Sequence, residues 1–168
     1  MDAHRSPAID QTVAVDGGTV VVETRSTVAA AQGEVWAAIT TFGGVNHELM
    51  PYCRMVPPRR LRGRTLDSYE PAERVACWLL AGGIVPFDRH LLGLESVHDG
   101  VGFVEESTTW LQARWRHERS LPSADGGTLV VDRLTIVPRL RPATVVIRRL
   151  VPRIFAHRHR RLAQQFPG

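Results

Sequence analysis

A chain of 168 residues can bury a sizeable core in one domain, and 43% hydrophobic with 23% charged residues is the balance of an ordinary folded protein, which sets disorder aside. The net charge is +4 and all 21 basic residues are arginine, spread along the chain, so charge alone does not single out a polyanionic partner. No apolar run approaches the roughly 20 residues of a membrane span, and the start MDAHRSPAID lacks the basic and apolar stretches of a signal peptide, so the expected location is cytoplasmic.

The first eleven residues carry little apolar pattern and a proline, and residues 1–17 are expected to form a flexible lead-in, with a single domain over 18–166. From Thr19, TVVVETRST is β-branched and reads as the first strand. AAAQGEVWAAITTF then places Val35, Trp36, Ile39 and Phe42 at helical spacing, and GGVNHELM reads as a second short helix closed by Pro51. The double proline in RMVPPRRLRGRTL excludes a helix and allows at most short edge strands.

ERVACWLLAG, FDRHLLGLESV, VGFVEESTTW, LQARWRHERSL and GTLVVDRLTIVP follow as strand-like runs, with turn signals at GGIVP, HDG and PSADGG. No turn residue separates Thr109 from Leu111, so residues 101–121 read equally as two strands or as one long bent strand. In the last segment, Ile147, Leu150, Val151, Ile154, Phe155, Leu162 and Phe166 fall at spacings of three and four, an amphipathic helix with a kink or restart expected at Pro152. Its arginines, Arg158, Arg160 and Arg161, read as the solvated back of that helix, favoured near a helix C-terminus by the dipole.

Strand, two short helices, a run of antiparallel strands and a long C-terminal helix resemble the helix-grip fold of the START and birch-pollen-allergen superfamily, also called SRPBCC. EVWAAITTF resembles its first-helix signature, and GGIVPFDRHLLGL, WRHERSL, GGTLVVDRLTIVPR and FAHRHRRL resemble segments of a bacterial branch that includes polyketide cyclase/dehydrase-like and lipid-transport-like proteins. The resemblance implies an α+β fold with a curved antiparallel sheet of about six or seven strands around the long helix. It also implies a cavity between sheet and helix for a hydrophobic small molecule such as a lipid, polyketide or isoprenoid. The superfamily shares that cavity and not a catalytic motif.

Strand parity nominates residues for the cavity. Alternation places Trp115, His117 and Arg119 on one face, Asp88, His90, Leu92 and Leu94 on another, and Val130, Asp132, Leu134 and Ile136 on a third. If these faces point inward, His90, His117 and Asp132 converge, with Asp88 or Glu106 beside them. Trp78, Phe87 and Ile154 are further candidates for the lining.

Three readings of the group stay open. It can be a buried polar network that satisfies itself; a recognition site in which histidine and arginine hold a polar group of an apolar guest; or a catalytic site with His117 or His90 as general acid or base and Asp132 orienting it, as in a cyclisation or dehydration. Cys53 and Cys77 have neither metal-ligand nor disulfide spacing, and no metal or other cofactor is expected. A separate reading gives Arg158, Arg160 and Arg161 to an anionic membrane surface or, less favoured, to nucleic acid.

Overall fold

The computed structural model describes residues 8–71 and 73–167. Nine strands and three helices run in the order β1 (Asp10–Asp16), β2 (Thr19–Val28), α1 (Gln32–Ile39), α2 (Phe42–Leu49), β3 (Cys53–Val56), β4 (Arg74–Ala81), β5 (Val85–His98), β6 (Gly102–Thr109), β7 (Gln112–Ser120), β8 (Ser123–Ala124), β9 (Gly127–Pro138) and α3 (Ala143–Gln165). The strands form one antiparallel sheet in the order β1-β2-β9-β7-β6-β5-β4-β3, with β8 on the end of β9. This is the expected α+β helix-grip architecture, with α3 packed against β2 and β9.

Two strands exceed the expected six or seven. One is the two-residue β8. The other is β1, which corrects the flexible lead-in: Asp10–Asp16 pairs with Arg25–Thr19, and Gln11 donates to the Pro152 carbonyl at 2.9 Å, so the segment is tied to α3 as well. Gly17 and Gly18 both have positive φ, 55° and 92°, which lets a two-residue turn join β1 to β2. Residues 1–7 of the lead-in lie outside those described.

Local chemistry explains the helices. The Ala31 amide donates to Glu34 Oε2 at 3.0 Å at the start of α1, and the Gly44 amide donates to Thr41 Oγ1 at 3.0 Å at the start of α2. Residues 101–121 are two strands joined at Trp110 and Leu111, where Thr109 Oγ1 accepts from the amides of Leu111 and Gln112 in place of glycine turn chemistry. Of the kink or restart expected at Pro152, the restart does not occur: α3 is helical from 143 to 165. β3 is the short edge strand that the double proline permits.

Apolar packing is concentrated at the two ends of α3. Val20, Val22, Leu134 and Ile136 pack with Ile147, Val151 and Phe155 at one end, and Val28, Trp36, Ile39, Phe103, Leu121 and Val130 gather around Leu162 at the other. A third cluster, Phe42, Leu61, Val75, Cys77 and Leu92, joins α2 to β4 and β5. Both cysteines are free and buried, as expected.

Candidate functional site

A concave pocket of about 340 Å³ lies among these clusters, walled by α2, the inward faces of β4 to β7 and one side of α3. Most of its wall is apolar: Ile39, Leu49, Leu92, Phe103, Val151 and Phe155 are among the residues that face it. The expected inward parity holds on three strands. Asp88, His90, Leu92 and Leu94 of β5 are buried, as are Val130, Asp132, Leu134 and Ile136 of β9 and His117 and Arg119 of β7, with Trp115 partly buried.

Of the nominated residues, Asp88, His90, Trp115, His117, Arg119, Phe87 and Ile154 line the pocket. Asp132 stands one layer behind, fully buried. Two nominations are corrected. Glu106 points to the outer face, where Arg114 and Arg116 hold it, because period 2 sets Phe103, Glu105, Ser107 and Thr109 inward and Glu106 outward. Trp78 is also outside, 5.3 Å from the Trp110 ring and under the Arg89 guanidinium, since its neighbours Val75 and Cys77 take the inward positions.

The inner wall is a continuous chain of buried charges. Arg119 Nε and Nη2 donate to the two oxygens of Asp132 at 2.6 Å each, and its Nη1 and Nη2 donate to Glu48 of α2 at 2.9 and 3.0 Å. Arg158 of α3 donates to the same Glu48 at 3.0 Å and lies over the Phe155 ring. Asp132 also receives His117 Nε2 at 2.8 Å and His159 Nε2 at 3.0 Å, and the other His159 nitrogen meets Ser26 Oγ at 2.7 Å. Beyond His117 stands Glu105, 3.7 Å from its Nδ1, with His90 Nε2 at 2.6 Å and the Ser107 hydroxyl donating at 2.6 Å. One chain of ion pairs therefore ties α2 and α3 to β5, β6, β7 and β9.

The electrostatics follow from that pairing. Burial pushes the Asp132 carboxyl up, but the charge and hydrogen bonds of Arg119 and His117 outweigh it and hold the group well below the usual carboxylate range. Glu48 is lowered in the same way, against its burial, by Arg119 and Arg158, and Glu105 by His90 and His117. For His117, burial favours the neutral ring, but Asp132 and Glu105 win and its pKa is raised. Burial pushes the Cys53 thiol up to about 11 and Cys77 up to about 12, which leaves both un-ionised at neutral pH.

Glu48, Glu105, Arg158 and His159 belong to the site and were not nominated. Arg158 is the clearest correction: it is buried on Glu48, not solvated behind the helix, whereas Arg160 is exposed. Helical spacing carries the signal, since Phe155, Arg158, His159 and Leu162 fall at i, i+3, i+4 and i+7 and share the buried stripe. Leu150, expected in that stripe, is half exposed at the pocket mouth. Among the described residues, one fully buried side-chain oxygen or nitrogen has no hydrogen-bond partner: the hydroxyl of Tyr69, a residue of the pocket wall.

Comparison with known proteins places this geometry. Residues 26–166 match the family model described as a domain of unknown function, DUF8410. The chain belongs to this family. No curated protein matches its sequence. Among solved structures, the chain is similar to the Zhui aromatase/cyclase from Streptomyces sp. R1128, with TM-score 0.66 at 13% identity over 88% of this chain and 93% of that one. It is similar to a START superfamily protein from Mycobacterium smegmatis, with TM-score 0.61 at 12% identity over 86% and 95%. The di-domain ARO/CYC StfQ from the steffimycin biosynthetic pathway gives TM-score 0.62 at 13% identity, over 89% of this chain and 50% of that one. The fold of this DUF8410 chain is thus that of the START-like, or SRPBCC, superfamily. No helix among the described residues is long and apolar enough to cross a membrane.

Proposed function

We propose that the protein binds an uncharged or weakly polar hydrophobic small molecule, such as a lipid, polyketide or isoprenoid, in the pocket between sheet and α3. The observation that carries this reading is the contrast between the two kinds of wall. The apolar wall offers about 25 cal/mol for each Å² that a guest buries. The charged wall is already cross-paired: each of Glu48, Glu105 and Asp132 is held by protein cations or histidines, and both buried arginines hold carboxylates. A ligand carboxylate would have to displace one of these partners, whereas a carbonyl or hydroxyl could meet the unpartnered Tyr69 hydroxyl at no such cost. Aromatase/cyclase proteins among the structural neighbours support a guest of this general kind.

The neutral probe N-phenyl-1-naphthylamine tests the reading. Its fluorescence should rise saturably on addition of the protein, and Ile154→Trp, which fills the pocket from α3, should lower that affinity about tenfold or more. A linear rise, or an unchanged affinity in the filled variant, would count against it.

A second reading, acid–base chemistry on the guest, is favoured by one contact. His90 lines the pocket with Nε2 against Glu105, and its Nδ1 has no hydrogen-bond partner among the described residues. His117 is engaged at both nitrogens, and Asp132 orients His117 and His159 but not His90. Under this reading His90 is the acid or base and Glu105 its orienting carboxylate. His90→Gln should then abolish turnover of a bound guest while changing its affinity by no more than a few fold; equal loss of both would leave recognition alone.

A further inference from the structure

The rim of the pocket is unusually apolar for a surface. Leu140, Val146 and Trp110 are 71%, 60% and 59% exposed, and Phe87, Leu111 and Leu150 are close to half exposed. All six face the mouth of one pocket. They come from three separate parts of the chain, the start of β5, the β6–β7 hairpin and the β9–α3 junction, and contacts hold them together. The Arg139 amide donates to the Leu111 carbonyl, Arg139 Nε donates to the Thr109 carbonyl, and Asp88 Oδ1 accepts from the Trp110 amide. Trp78 extends the patch on the outer side of Trp110. A contiguous apolar crown of this kind marks a surface that meets another apolar phase.

The cations around the crown decide which phase. Arg139 and Arg141 flank Leu140, and Val146, Arg149, Leu150 and Arg153 share one stripe of α3, all four exposed. Arg89 lies over Trp78, whose ring meets that of Trp110. After Asp132 the sequence contains nine arginines and no aspartate or glutamate. Large apolar side chains with tryptophan at the water boundary, interleaved with arginines whose stems can reach up to headgroups, are the chemistry of an interfacial membrane contact. A second copy of this chain fits less well, because a two-fold contact through the crown would set its arginines against the same arginines.

We propose that this crown docks on a lipid bilayer carrying anionic headgroups, with Trp110, Leu111, Leu140, Val146 and Leu150 entering the interface and Arg139, Arg141, Arg149 and Arg153 contacting phosphates. Docking would turn the pocket mouth toward the acyl region, so that an apolar guest passes between bilayer and pocket without crossing water. The surface differs from the one that the sequence alone suggests, since Arg158 is committed to Glu48 and Arg160 lies away from the mouth residues. The crown would dock whether the pocket is filled or empty.

Co-sedimentation of the full chain with extruded vesicles tests the proposal. Vesicles with about 30% phosphatidylglycerol should bind at least about tenfold more protein than phosphatidylcholine vesicles at low salt, with binding falling as salt rises. Tryptophan emission should shift to the blue on binding. Leu140→Glu with Val146→Glu, both at exposed positions, should lose binding about tenfold or more; Arg141→Ala with Arg149→Ala should weaken it several fold and flatten its salt dependence. Arg160→Ala should bind like the parent. The proposal is overturned if the parent does not sediment with anionic vesicles, or if the crown variants sediment as well as the parent. It is equally overturned if the crown instead forms dimers that the glutamate pair dissolves, or binds polyglutamate while ignoring vesicles, which would assign the surface to a second copy or to an acidic protein.

Discussion

Arg119→Met is the most informative single perturbation of the buried charge chain. Methionine keeps much of the volume and removes the guanidinium that makes four hydrogen bonds, two to Asp132 and two to Glu48. Both carboxylates are essentially inaccessible, so water cannot replace the lost donors. Glu48 would keep only Arg158, and Asp132 only His117 and His159. Breaking a buried ion pair from one side costs about 3–5 kcal/mol, a large part of a typical folding free energy. For a chain of this size that is a fall in Tm of about 6–20 °C. Arg114→Met is the matched control: its bidentate pair with Glu106 is geometrically good but exposed, and such pairs contribute about 1 kcal/mol at most.

The same experiment has a pH signature. Glu48 and Asp132 have folded pKa values below their ordinary ones, so the stability they contribute is present above about pH 4 to 5 and is lost as pH falls toward the folded values. The deficit of Arg119→Met should be full at pH 7 and should narrow in acid. Urea unfolding followed by circular dichroism at pH 7 and pH 4 measures both quantities. A cost no larger than that of Arg114→Met, or a deficit that does not change with pH, would refute the view that these charges are held by one another.

Three further outcomes are expected. His117, with a raised folded pKa, contributes stability that is complete below about pH 6.5 and lost as pH climbs through the folded value; His117→Gln should therefore flatten the fall in stability above about pH 6.5, and an unchanged slope would contradict this. Gly44→Ala should destabilise by about 3 kcal/mol, because a Cβ there would sit 1.8 Å from the Ala38 carbonyl oxygen, while Gly43→Ala, with only an ordinary 3.5 Å contact, should be neutral or stabilising by up to about 1 kcal/mol in thermal melts. Cys53 and Cys77 should resist Ellman's reagent at pH 8 until the protein is unfolded in urea, and fast labelling of the native protein would show the thiols to be less shielded than their surroundings require.

A single periodicity running through an element is enough to assign its buried face from the sequence. Period 2 in β5, β7 and β9 placed His90, His117, Arg119 and Asp132 on inward faces, and all four are buried. The same rule, started from Phe103, selects Glu105 over Glu106. Arg158 and His159 were hidden by chemistry: buried positions on a helical stripe are expected to be apolar, and only a partner far away in sequence, Glu48 or Asp132, makes charge tolerable there. Glu48 itself gives no local signal, since one acid in a short helix reads as surface until Arg119 and Arg158 arrive from β7 and α3. β1 was missed because its hydrogen bonds, unlike its mostly exposed side chains, carry the element.

The central claim is that the space beside this charge chain is occupied by an apolar guest. Native mass spectrometry of the protein purified from the cells that make it, with organic extraction of the same sample, tests it most directly. The account predicts a bound, uncharged or weakly polar molecule that leaves with the solvent and is missing from Ile154→Trp; a parent protein that carries nothing and takes up no neutral apolar molecule on titration would contradict it.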